Sequence, residues 1–239
     1  MIIGTVVNAC AIVAGGAVGL VFAKTAYKAG GASVVADSVM KVLGIAVIVL
    51  GIKMALAEHD FLPVVVCLAL GTFIGEVCKI EKHIERFGVY LKKTVKSESD
   101  TFVSGFLSAS ILFCVGATAI LGSIQDGLMN DPELLLVKSI LDGVTSVIFA
   151  MTMGIGVLFA AIPIIIYQGA LSLSASQLSF LLSNPVYVNG ISAAGGILVL
   201  GIGLNLAQIT RLRTGNMLPS LLLIPLYDVV SIHFHTFFL

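Results

Sequence analysis

The sequence predicts an all-α fold: a polytopic bundle of transmembrane helices forming one integral membrane domain across residues 1–239. Three observations carry that reading. Hydrophobic residues make up 58% of the chain and charged residues 11%, against roughly 25% charged in an ordinary soluble domain. The mean hydropathy is +1.11, and so few charges would leave the surface of a water-soluble globule of this size largely apolar. Finally, apolar runs of about 17–25 residues, the length that crosses a hydrocarbon layer about 30 Å thick, recur along the chain, and the basic residues between them are unevenly distributed.

The first run, 2–23, has no basic segment ahead of it and is too long for a signal-peptide core, so it is expected to remain as a first span. The second, 36–56, contains Gly44 and Gly51, and the third, 61–78, opens on Phe61-Leu62-Pro63. Glycine and proline are tolerated in membrane helices better than in soluble ones. Residues 79–96 differ in kind. Ile80, Ile84, Phe87, Leu91 and Val95 recur at helical spacing among Glu, Lys and Arg, the pattern of an amphipathic helix lying at a cytoplasmic interface.

A fourth span is expected at 102–124. Asn130-Asp131-Pro132-Glu133 then reads as a helix start, with Asp131 as cap and Pro132 in the first turn. The fifth and sixth, 134–153 and 156–172, join at Met153-Gly154-Ile155-Gly156. They read as two short spans, or as one span with a re-entrant piece, so the expected total is eight, or seven. An uncharged, Ser- and Asn-rich connection, 173–188, leads to the last two, 189–207 and 214–231.

Charge sets the orientation. The connections 24–35, 79–101, 154–155 and 208–213 hold Lys24, Lys28, Lys79, Lys82, Arg86, Lys92, Lys93, Lys96, Arg211 and Arg213. The alternate connections, 57–60, 125–133 and 173–188, contain Glu58, Asp60, Asp126, Asp131 and Glu133 and no Lys or Arg. The positive-inside rule therefore puts the first set in the cytoplasm and both termini outside it. Gly44–Ile52 also resembles Gly196–Ile202, each followed by a polar link and a Leu-Pro pair. An inverted repeat relating spans 1–3 to spans 6–8 would produce this, as in many transporters.

Polar residues within apolar runs are the candidate site. Asp142 lies inside the fifth span with Lys138 one turn earlier on the same face. An intramembrane carboxylate is costly unless it has a partner or faces a polar path, so the pair reads either as a helix lock or as part of an ion or solute path. Asn8, Gln168 and Asn205 are intramembrane amides suited to helix–helix hydrogen bonds or to lining that path. Gln125 and Asp126 stand near its outer entrance. Gly15 and Gly19 form a GxxxG pair that lets helices approach closely.

Other chemistries find no support. The net charge is zero, which gives no reason to expect nucleic-acid binding. Cys10, Cys67, Cys78 and Cys114 form no CxxC pair, and His233 and His235 near the terminus are too few to define a metal site. No catalytic or dinucleotide motif appears, so neither an enzymatic activity nor a cofactor or metal is expected.

The chain is similar to the bacterial YqgA/YdfK-like family of integral membrane proteins of unknown function. The likeness runs from Gly4-Thr5-Val6-Val7-Asn8 through Phe113-Cys114-Val115-Gly116-Ala117, Ile120–Gly127, Lys138–Gly143, Gly154–Leu158, Tyr167-Gln168-Gly169 and Gly201–Asn205, ending near Pro225. This resemblance implies a bacterial cytoplasmic-membrane location and no defined mechanism. The leading expectation is a small α-helical transporter or channel for an ion or small solute. Its alternative is a scaffold or sensor whose 79–96 helix meets a cytoplasmic partner. Expected partners are membrane lipids, an ion or small solute, and a second copy of the chain.

Overall fold

A computed structural model describes residues 2–28, 32–56, 61–183 and 185–227. The helices are α1 (Ile3–Lys28), α2 (Ala32–Ala55), α3 (Phe61–Cys78), α4 (Ile80–Thr94), α5 (Phe102–Cys114), α6 (Ala117–Met129) and α7 (Glu133–Met153). A 3-10 segment, Gly154–Ala160, leads into α8 (Ala161–Leu173), followed by the short α9 (Phe180–Ser183) and α10 (Pro185–Leu206). A 3-10 turn, Thr214–Met217, precedes helical residues 220–227. No strand occurs among the described residues, and exposed Val, Leu, Ile and Phe side chains cover the outer faces of α1, α2, α3 and α7. Those faces suit lipid. The chain is a polytopic helical membrane bundle.

The span count needs correction. Among the described residues, five segments are long and apolar enough to cross a membrane: Ile3–Thr25, Asp37–Ala55, Phe61–Cys78, Glu133–Leu173 and Val186–Leu206. A sixth exists if Phe102–Cys114 and Thr118–Met129, bent by 61°, form one broken span. The expected eight are not reached, for three reasons. The 102–124 run breaks at Val115-Gly116, where Gly116 has φ +121°. The two runs in 134–172 count as one candidate by length and composition, a 41-residue segment that folds back within itself at Gly154. The 214–231 run starts as a 3-10 turn, and its last residues, with the His233 and His235 tail, lie outside the described ones.

Glu133–Leu173 does not run straight. As a single helix its 41 residues would extend about 60 Å, twice the hydrocarbon thickness. The chain reverses at Gly154, whose φ of +78° suits a residue without Cβ. The Met153 carbonyl, freed by the turn, accepts a 2.8 Å bond from the Thr101 hydroxyl. Gly156 then lies on the Phe102 carbonyl, while at the far end Gly127 lies on Ser172. The Ser172 hydroxyl donates to the Ser123 carbonyl there. The returning arm therefore runs parallel to α5–α6, with α7 antiparallel to both.

Glycines set the remaining pairings. α1 runs parallel to α7, with Gly4 against Leu135, Gly15 against Gly143 and Gly19 against Val147. α2 runs antiparallel to α10: Gly44 lies on Ala207 and Gly51 on Leu200, while Gly196 lies on Ala55 and Gly203 on Ile48. The two glycine-rich stretches that resemble each other in sequence are thus packed face to face.

These directions sort the connections. Residues 79–101, 154–155 and 208–213 gather at one end of the bundle, tied together by Thr101 to Met153 and by the turn Thr214–Met217. At that turn Arg213 pairs with Glu76 at 3.1 Å, where sequence proximity alone suggests Lys79. Asn216 Oδ1 accepts from the Glu81 backbone N–H at 2.8 Å, and a Glu81 carboxylate oxygen accepts from Gly215 N–H at 2.8 Å. Residues 125–133 and Ser172 lie at the opposite end. The amphipathic α4 lies across α5, with Leu91 packed among Phe102 and Phe106 and Phe87 edge-on to Phe106 at 5.9 Å.

Burial pushes the Glu81 carboxyl above its ordinary value of 4.5, opposed by the Gly215 N–H and by Arg213. A raised folded value means that the folded chain holds more protons than the unfolded one between 4.5 and that raised value. The stability contribution of this group therefore falls as pH rises through that window. Glu81→Gln keeps an acceptor for Gly215 and should flatten the slope. Melting temperatures of wild type and variant from pH 4 upward should converge on the acid side and separate, with the variant higher, as pH rises.

Candidate functional site

The α1–α7 contact determines the site. Glycines at 15 and 143 bring the two backbones together, and in that register the Asn8 side chain of α1 meets the Asp142 side chain of α7. Asn8 Nδ2 donates to Asp142 Oδ2 at 3.1 Å and to Gln168 Oε1, from α8, at 3.4 Å. The Lys138 ammonium donates to the same Asp142 oxygen. Four polar side chains from three helices thus form one cluster. Asn8 and Gln168 are 0% exposed, and Lys138 and Asp142 are 7% exposed. At 1.5 Å per residue, Asp142 sits roughly 14 Å along α7 from Glu133, near the middle of that helix.

The cluster is not saturated. Thr5 Oγ1, Asn8 Oδ1, Ser146 Oγ and Gln168 Nε2 are buried without a hydrogen-bond partner. An unpaired polar atom in an apolar interior costs about 1–3 kcal/mol. Four such atoms on α1, α7 and α8 are difficult to explain as packing. Thr5 is one turn from Asn8 and Ser146 one turn from Asp142, so the unmet atoms flank the ion pair above and below along the α1–α7 seam. The arrangement offers two hydroxyls, an amide acceptor and an amide donor around a charge-balanced carboxylate and ammonium. It can hold water, a small ion or a small hydrogen-bonding solute.

The break between α5 and α6 adjoins this cluster. Gly105 of α5 lies on Met153 and Gly122 of α6 on Leu135, so the break between them stands level with the middle of α7, where Asp142 is. The break itself packs on the α2–α10 pair, with Val115 and Gly116 against Gly195 and the Met54 methyl near Gly116. A helix interrupted inside the bundle leaves the carbonyls of its last turn and the N–H groups of the next first turn without intrahelical partners. Discontinuous helices of this kind border substrate sites in many transporters. Sequence reasoning misses the break because Val115-Gly116 has no polar or proline marker.

The other candidates lie elsewhere. Asp126, 1% exposed, accepts from the Gly4 backbone N–H at 2.9 Å. It thereby compensates the positive end of α1. Gln125 Nε2 donates to Asp131 Oδ2 at 2.5 Å, and Asp131 also accepts from Glu133 N–H at 3.1 Å, consistent with capping at the start of α7. These residues organise the end of the bundle nearest the cluster. Asn205 is at the opposite end, where its amide donates to the Leu212 carbonyl at 2.7 Å. Its Oδ1 accepts from Leu212 N–H and the Thr210 hydroxyl, so Asn205 staples the 207–213 connection. Among the described residues, no group of three or more His, Cys, Asp or Glu is arranged to hold a metal ion.

Comparison with known proteins covers the whole bundle. The family described as "Protein of unknown function (DUF554)" matches residues 3–229. The chain is 34% identical over 239 residues to the uncharacterized membrane protein YdfK of Bacillus subtilis (strain 168), covering 98% of this chain and 97% of that one. It is 31% identical over 228 residues to the uncharacterized protein YqgA of Escherichia coli (strain K12), covering 93% and 94% respectively. No solved structure matches the chain significantly.

Proposed function

Because the chain belongs to the DUF554 family, a bacterial membrane protein family whose function is undefined, we propose a function from the site itself: a small α-helical transporter or channel for an ion or small solute. The observation behind this reading is the Lys138–Asp142 pair, buried with Asn8 and Gln168 and flanked by four unpaired polar atoms beside a broken helix. A structural ion pair needs no further buried donors and acceptors gathered around it; a site that receives and releases a hydrophilic passenger does. Gln125 and Asp126 belong to the entrance nearest the cluster, and Asn205 to the far end of the path.

Two further features favour transport. The α2–α10 contacts are reciprocal: Gly44 on Ala207 corresponds to Gly196 on Ala55, and Gly51 on Leu200 to Gly203 on Ile48, at one constant offset in the chain. Such reciprocity is what an inverted repeat with a twofold axis between the two helices produces. The segregation of loops also fits a bacterial cytoplasmic-membrane protein with the Lys79–Lys96 end inside and both termini outside. A scaffold or sensor role for α4 has weaker support, since that helix uses Leu91 and Phe87 for its own packing on α5. A flux screen in liposomes, run over ions and small metabolites under varied gradients, tests the proposal. Passage of at least one solute class is expected, and no passage by folded protein under any gradient would overturn it.

A further inference from the structure

A cavity opens at the end of the bundle that carries α4. Its volume is about 360 Å³, and its wall includes Ser104, Ser108 and Ile111 of α5, Met153 of α7, Ile202 of α10, and Arg211 of the hairpin connection. Many of its polar groups are bound to their own neighbours. Ser104 donates to the Thr101 carbonyl, Asn205 holds Leu212 and Thr210, Gln208 donates to Asp37, and Glu81 holds Gly215. Such a wall is wettable, yet it lacks the convergent unmet donors and acceptors of a recognition site. It has the character of a passage.

The cavity also points at the cluster. Ser104, Ser108 and Ile111 follow one another along a single face of α5. The next turn on that face, about 4.5 Å further on, holds Cys114 and the break that adjoins Lys138 and Asp142. Three apolar residues of its lining, Ile111, Met153 and Ile202, are exposed by only 2%, 4% and 1% and supply an apolar plug. Phe149, buried one turn from Met153 on α7, backs this plug, and Ser146 with its unpaired hydroxyl lies one turn beyond Phe149. Polar groups thus approach the same layer from both ends of the bundle, separated by one or two turns of apolar side chains.

We propose that this cavity is an aqueous vestibule leading along α5 from the basic end of the bundle toward the Lys138–Asp142 cluster, with Ile111, Met153 and Ile202 as its closed gate. The inference rests on the transport reading for its purpose and on geometry alone for its existence. The ions or small solutes that the cluster accepts enter or leave on the α4 side when these three side chains part. Dewetting by apolar constrictions of this kind closes many pores.

The test is sided chemical labelling of the full chain in oriented vesicles. Single cysteines at Ser104 and Ser108, in a chain whose four native cysteines are replaced, should react with a membrane-impermeant thiol reagent from the α4 side only. With Cys114 kept as the sole cysteine, Ile111→Gly and, separately, Ile202→Ala should each accelerate its modification from that side about tenfold or more, because truncating a buried side chain leaves a void in the plug. Melting of each variant identifies any that fails to fold, and the other then decides. Silence at position 108 from both sides, or an unchanged Cys114 rate in a folded plug variant, would overturn the vestibule. Sided labelling without flux of any solute would sustain the vestibule and remove the transport reading; flux with position 108 silent would do the reverse.

Discussion

Asp142→Asn should destabilise the folded chain by about 3–5 kcal/mol, the usual cost of removing one member of a buried ion pair. The amide is nearly isosteric, so little packing is lost. The loss falls on Lys138, 7% exposed, whose ammonium donates to Asp142 and would be stranded in an apolar interior or forced to give up its proton. Asn8 Nδ2 would still have an oxygen to meet. Lys138→Met with Asp142→Leu removes both charges together and should recover most of the lost stability, because buried pairs can be replaced by apolar packing at little cost. Reversible unfolding of the single and double variants in one detergent measures both. A single variant as stable as wild type would mean that the pair is not as buried or as coupled as its geometry indicates.

Gly15→Val should have an effect of comparable size through a different mechanism. The first carbon of any side chain at position 15 would lie 2.1 Å from the Gly143 carbonyl oxygen. That oxygen is backbone and cannot turn aside, so α1 and α7 must separate. Overpacking typically costs about 1–3 kcal/mol, and a backbone obstacle puts this site at the upper end. Separation also draws Asn8 away from Asp142, so hydrogen exchange along the α1–α7 seam should rise with the drop in stability. Gly169→Ala is the matched control. Nothing lies within 4 Å of a carbon added there, although the position adjoins Gln168, and its stability should stay within about 0.5 kcal/mol of wild type. Equal destabilisation by both substitutions would argue against the close α1–α7 contact.

The cluster was largely legible in the sequence. Lys138 and Asp142 declare themselves by helical spacing inside an apolar run, and Asn8 and Gln168 are amides where lipid-facing residues would be aliphatic. The likeness between Gly44–Ile52 and Gly196–Ile202 foretold two stretches of shared character, although not that they pack on each other. Other features depend on three-dimensional partners that no local pattern encodes. The bond that Asp126 accepts from Gly4 N–H, distant in the chain, is one such feature. The bond between Asn205 and the Leu212 that folds back on it is another. The break at Val115-Gly116 was hidden because one glycine among 25 carries little information. The sequence marks Met153-Gly154-Ile155-Gly156 as the join between two parts of Glu133–Leu173, but hydropathy alone does not show that the backbone reverses there.

The central claim, that a hydrophilic passenger uses the Lys138–Asp142 cluster, is tested most directly by solute flux through proteoliposomes carrying wild type or the Lys138→Met, Asp142→Leu double variant. Both proteins should be folded and of similar stability, so a difference in flux reports the polar site rather than the scaffold. The account predicts passage through wild type and almost none through the double variant. Equal flux through the two, with the charges gone and the fold intact, would contradict it.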